Sequence, residues 1–242
     1  MRTTITVMFA LLAAGCTAAP VMKLAPELAA VSPKPVSGRA AFLGRGVLTF
    51  DRWSSTAPAR LPNDRWRRSS NLIATGLNEV SGIEADRAAL EFSVRSGGDA
   101  APASTTQAKC VARGRFAKHV ASNGRVTDET SVNIPGYPRI DCEFSGAQAG
   151  QFSLQPSWLS QRDSGTADFG EHRWTVESVA DSALARFGYQ FSSNGKVVAA
   201  VETWGAGRVW IDPALGAAEQ DELAAATTAL LYYTSLLEYE DD

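Results

Sequence analysis

Little in this chain of 242 residues advertises chemistry: it has two histidines, three cysteines and three methionines. It contains no G-x-S-x-G nucleophile elbow. It also lacks a Walker loop, a Rossmann glycine fingerprint and an H-E-x-x-H pair. The commonest signatures of hydrolysis, nucleotide binding and zinc proteolysis are therefore excluded. His119 follows Lys118 in an alternating stretch and His172 stands between Glu171 and Arg173; both read as surface or structural histidines rather than general bases. Asp163, Asp168 and Glu171 lack the alternation and terminal glutamate of an EF-hand and read as an exposed acidic loop. No metal or cofactor is expected. A basic excess is missing too, with 23 Lys and Arg against 26 Asp and Glu, so no nucleic-acid or polyanionic partner is expected. No apolar run approaches the roughly 20 residues of a membrane-spanning helix.

What is there begins with an address. Met1 and Arg2 precede an apolar run from Ile5 to Leu12 broken by Thr6, followed by Leu12-Ala13-Ala14-Gly15-Cys16. A short basic region, a compact apolar region and small residues before a cysteine resemble the export signal and lipobox of bacterial lipoproteins. The resemblance implies that residues 1–15 are a signal peptide and that Cys16 carries lipid as the first mature residue. Thr17, where an aspartate would favour retention in the inner membrane, implies the inner leaflet of an outer membrane, facing the periplasm. An ordinary cleaved signal or a buried N-terminal helix are the plainer alternatives. Loss of the leader removes Arg2, leaving 22 basic and 26 acidic residues and a net charge of −4.

With Cys16 assigned to lipid, Cys110 and Cys142 remain, and an oxidising compartment favours a disulfide between them. Two cysteines with no histidine at ligand spacing disfavour a metal site.

Residues 16–38 are rich in Ala and Pro with little periodicity, and read as a tether spanning about 25 Å if flexible. A short helix over Leu24 to Val31 is the alternative. Residues 39–242 read as one β-rich domain, with strand patterns at Phe42 to Phe50, Ala88 to Val94, Arg139 to Phe144, Gly150 to Leu154 and His172 to Val179. Two Asn-Gly pairs, Asn123-Gly124 and Asn194-Gly195, predict hairpins, since a type I′ turn needs positive φ at both central residues. Leu61 to Glu84 is the least readable stretch. Arg60, Arg65, Arg67 and Arg68 around Trp66 read as solvated surface rather than an anchor for anionic headgroups.

After Asp212-Pro213 the character changes. Pro213 and the acidic Glu219, Asp221 and Glu222 are helix-start signals, predicting a helix over residues 217–237. From Leu223 to Leu237 there is no charge on any face, so the helix should be buried all round. The fold class expected is α+β, mainly β: an antiparallel sheet or closed β-barrel with this helix buried in or against it. The order of strand Lys196 to Trp204, strand Gly207 to Ile211 and apolar helix, over roughly residues 183–237, resembles the Tubby-like superfamily. That group includes the LURP-one-related and phospholipid scramblase proteins. The resemblance implies a closed barrel around a hydrophobic helix and places no binding residues here.

Of six tryptophans, Trp158, Trp174, Trp204 and Trp210 fall in or beside late strands. They are the candidate binding aromatics for a sugar ring or lipid headgroup, with core packing as the plainer role. The functional expectation is a lipid-anchored, non-catalytic envelope module that binds a lipid, an envelope polymer or a protein partner. An unrecognised periplasmic hydrolase and a purely structural envelope component are its rivals.

Overall fold

The computed structural model describes residues 22–39, 46–61, 68–73, 78–98, 101–121, 131–133, 139–155, 162–182 and 185–237. In chain order the strands are β1 (Lys34–Pro35), β2 (Thr49–Phe50), β3 (Trp53–Ser55), β4 (Ala59–Arg60), β5 (Arg68–Ile73), β6 (Asn78–Gly98), β7 (Ala101–Ala121) and β8 (Ser131–Asn133). They continue as β9 (Arg139–Gly146), β10 (Gly150–Gln155), β11 (Ser164–Phe169), β12 (His172–Ser182), β13 (Ala185–Ser193), β14 (Lys196–Glu202) and β15 (Arg208–Ile211), before the helix α1 (Ala217–Leu237). Twelve strands form one antiparallel path, β1-β15-β14-β13-β12-β11-β10-β9-β7-β6-β3-β2. Its two edges meet where Ser37 and Thr49 exchange backbone hydrogen bonds of 2.9 and 3.1 Å, so the sheet curls into a nearly closed barrel.

Alternation along the strands supplies the inner wall. Ile140, Cys142 and Phe144 on β9, Phe152 and Leu154 on β10, Trp174 and Val176 on β12 and Tyr189 and Phe191 on β13 are all buried. A barrel of this strand number is wider than side chains alone can fill, and α1 occupies the space. Every residue from Leu223 to Tyr232 is buried, as its uncharged sequence requires. Leu223, Leu230, Leu231 and Tyr232 contribute roughly 1.5 to 3 kcal/mol each on burial. Ala224, Ala225, Ala226 and Ala229 keep the helix narrow enough to pass inside the wall. Among the described residues no helix is long and apolar enough to cross a membrane.

The helix starts as the charges suggest, with one difference. Pro213 precedes α1, in a turn where Asp212 Oδ1 accepts the Ala214 N–H at 2.9 Å. The first turn is capped by Glu219, whose Oε2 accepts the Gly216 N–H at 2.8 Å. Asn194 and Gly195 both have positive φ, 52° and 79°, and join Ser193 and Lys196 as expected of a type I′ hairpin. β7 and β8 pair around Asn123-Gly124, with Lys118 opposite Ser131, while the turn itself lies outside the described residues. The acidic stretch around Asp163 and Asp168 is not a loop. Residues 164–169 form β11, paired on both sides, with Ala167 and Phe169 turned inward. The strand pattern at Phe42 to Phe50 reduces to the two residues of β2, with residues 40–45 outside the described part.

The Ala- and Pro-rich segment packs from Met22 onward. A short 3-10 turn at Pro26–Leu28 leads into β1, which pairs with β15, Lys34 opposite Val209. Met22, Leu28 and the flanking Leu24 and Val31 cover Ala200 and Trp210 on the outside of the barrel. This explains the unbroken apolar run Val197 to Val201: β14 is buried on both faces. Of the expected tether 16–38, residues 22–38 are thus packed on the barrel, and residues 16–21 lie outside the described part.

Candidate functional site

Because α1 fills the interior, ligands and partners must meet the barrel at its ends or on its outer wall. The end at which α1 enters, here the upper end, is ringed by the turns Asp51-Arg52, Gly170-Glu171 and Asn194-Gly195. It is closed by carboxylates from the first turns of the helix. Asp221 Oδ1 accepts from Arg52 Nη2 at 2.9 Å and from Trp53 Nε1 at 2.8 Å, and Ser104 Oγ donates to Oδ2 at 3.3 Å. Arg52 also lies 4.8 Å over the Trp53 ring. One turn of wall away, Glu222 Oε2 is 3.0 Å from His172 Nδ1, and the imidazole sits 5.6 Å from the Trp174 ring. Burial pushes the Glu222 carboxyl above its ordinary range, and His172 opposes that rise.

A histidine oriented by a carboxylate is half of a general-base pair. Here the pair joins the plug to the wall, since Glu222 belongs to α1 and His172 to β12. The acidic residues that the sequence marks only as a helix start thus also bolt the helix into the barrel mouth. The sequence carries a signal for this: carboxylates in the first turns of a helix, directly before its uncharged stretch, must lie where that helix leaves the core.

The four candidate tryptophans separate. Trp174 is inside the barrel, 2 % exposed, in an aromatic group with Phe169 and Phe144. Trp210 is on the outer wall but covered by the N-terminal segment, with Arg208 5.3 Å over its ring. Trp158 lies outside the described residues. Trp204 alone of the described three is available, at 61 % exposure. It sits in the loop joining β14 to β15 at the opposite, lower end. Among the described residues the other large apolar side chain left open is Val47, 49 % exposed, in the segment entering β2. The Trp204 loop is held from several sides. Arg39 Nη1 donates to the Thr203 carbonyl at 2.5 Å, and Arg208 grips Glu202 at its base through bonds of 2.6 and 3.0 Å. Gly205 and Gly207, with φ of 63° and 87°, make the tight reversal at its tip.

The remaining candidates are structural in their contacts. Cys110 and Cys142 are directly opposite each other on β7 and β9 and form a disulfide on the inner wall. Asp163, fully buried, receives the Tyr189 hydroxyl at 3.0 Å; Asp168 accepts the Gly170 N–H at 3.2 Å; Glu171 is exposed. These three do not converge, and among the described residues no group of three potential metal ligands occurs. His119 belongs to β7, its side chain outside the described part, as are Cys16 and the leader. No family model, no curated protein and no solved structure matches the chain.

Proposed function

We propose that the chain is a lipid-anchored cell-envelope protein, held through lipid on Cys16 and facing the periplasm. Its barrel is a non-catalytic module that binds or braces an envelope partner on its outer surface. The lipobox supports the anchor. The observation that carries the rest is the filled barrel: Leu223 to Tyr232 occupy the interior, so binding is a matter of rims and walls. A barrel around an apolar helix is also the arrangement that the Tubby-like resemblance implies, and is the support for that kinship.

Native mass spectrometry of the full chain, gently extracted from membranes, tests both parts. The expected mass is that of the chain from Cys16 with its covalent lipid and no further stoichiometric small molecule. An unmodified Cys16 overturns the anchor, and a retained free lipid at one per chain overturns the filled-barrel reading. The His172–Glu222 pair favours one rival, a periplasmic hydrolase. An envelope hydrolytic activity abolished in His172→Ala, with the fold intact, would establish it over the module.

A further inference from the structure

The apolar interior of this protein is divided in two. The larger cluster lines the barrel and holds α1, while Met22, Leu28, Ala200 and Trp210 form a second one on the outer wall. The division runs through β14, where neighbouring residues point to opposite faces. Ala199 belongs to the inner cluster and Ala200 to the outer one, and both are fully buried. The strap formed by residues 22–33 thus covers the wall without contributing to the core that holds the barrel together. Among the described residues, Leu28, Ala29 and Val31 donate their N–H groups to the carbonyls of Ala25, Pro26 and Leu28, inside the strap itself. The wall reaches the strap backbone, among those same residues, through the Gln190 side chain, which donates to the Lys23 carbonyl at 3.3 Å. Gly188 makes room for Met22, whose Sδ lies 2.5 Å from where a Cβ on that glycine would stand. Ladder pairing begins at Lys34, opposite Val209. It is backed by the Val36 N–H on the Gly207 carbonyl at 3.1 Å and by Lys34 Nζ on Asp51 at 3.1 Å. Pro33, with no N–H to give, ends that ladder.

We propose that residues 22–33 are a releasable section of the connection to Cys16, peeling from the wall while the barrel stays folded. The release rests on the contacts alone; its use as spare reach rests on the lipoprotein reading. A segment held by side chains in a cluster of its own opens as its own unit, at a smaller cost than unfolding the barrel. The strap lies in series between the anchor and β1. A pull between membrane and barrel therefore loads it first at Met22 and breaks its contacts in succession, until Lys34 brings the ladder under load. Release adds twelve residues to the connection, about 40 Å of extended chain. The same movement uncovers Ala200 and Trp210, so the reach of the anchor and the outer face of β14 and β15 change together.

Thiol labelling of the full chain in vesicles of phosphatidylethanolamine and phosphatidylglycerol, with each label located by peptide mass, tests this. Ala200→Cys reports the covered face, and Ala199→Cys, its neighbour, the barrel interior. Ala200→Cys is expected to label more slowly than the exposed Trp204→Cys, yet on the order of a hundredfold faster than Ala199→Cys. Its rate should barely change in low urea. Ala199→Cys should label only through global unfolding, at a rate that climbs steeply with urea. Leu28→Cys, which adds no bulk, should follow Ala200→Cys from the other side of the contact. Equal rates and equal urea dependence for Ala199→Cys, Ala200→Cys and Leu28→Cys mean that strap and barrel open together, and overturn the release. Labelling of Ala200→Cys and Leu28→Cys as fast as Trp204→Cys means that the strap does not cover the wall, and overturns it too. Label on Cys16 removes the anchor and the spare reach, and leaves the release standing.

Discussion

At the scale of single residues, two features carry energies that can be measured. The Cys110–Cys142 disulfide closes a 32-residue separation, which in the chain-entropy account contributes about 3 to 4 kcal/mol. Replacing both cysteines with alanine should lower the free energy of unfolding in urea by that order, with the fold retained, because β7 and β9 stay paired without the link. Glu222 works in the other direction. Its folded pKa is raised by burial, so its contribution to stability is full below the ordinary glutamate value and is lost as pH rises through the folded value. Glu222→Gln should therefore match wild type at low pH and exceed it in melting temperature at neutral pH, since Gln keeps a hydrogen bond to His172 without the buried charge. A variant less stable than wild type at neutral pH would mean that the ion pair with His172 outweighs the cost of burial. Tyr232 shows the same economy deeper in the barrel, where its hydroxyl is 2.6 Å from Ser55 Oγ and 2.9 and 3.0 Å from the carbonyls of Gly46 and Thr56.

At the scale of elements, α1 is the test of the architecture. Leu230 is fully buried at mid-helix, and Leu230→Asp should abolish the cooperative thermal transition seen by circular dichroism, because an unpaired charge has no solvent there. A folded variant would place the helix on the surface. This element was legible in the sequence because a run with no charge and acidic residues at its start leaves a helix one environment only. The Asn194-Gly195 hairpin was legible because so few residue pairs adopt two consecutive positive φ angles. β11 was not: Ser164, Gly165 and Thr166 look like turn residues, and only pairing with β10 and β12 makes them a strand. For the two 21-residue strands β6 and β7 the sequence marks only parts, Ala88 to Val94 and the arm before Asn123-Gly124, and their length is not legible because their Ala-, Ser- and Arg-rich halves carry no alternation. The apolar residues Met22, Leu28 and Val36 are too far apart to show a period, so their burial is visible only once β14 and β15 are in place. Trp204 was named among the candidates, but nothing local distinguishes it from Trp210, six residues on, whose face happens to be covered.

At the scale of the whole molecule, the two ends of the folded chain complete each other. The segment Lys34–Ser37 joins the last strand, β15, to the first long-range partner, β2. A chain trimmed to begin at Gly38 should therefore expose Ala200 and Trp210, leave two unpaired edges and elute as soluble aggregates in size-exclusion chromatography. A monomeric, cooperatively melting trimmed chain would show that the seam is dispensable. Among the described residues the helix that fills the barrel follows the last strand, and the strand that seals the seam is the first. The barrel therefore closes only through contacts between parts of the chain that are far apart in sequence, a topology that folds slowly compared with one built from local contacts.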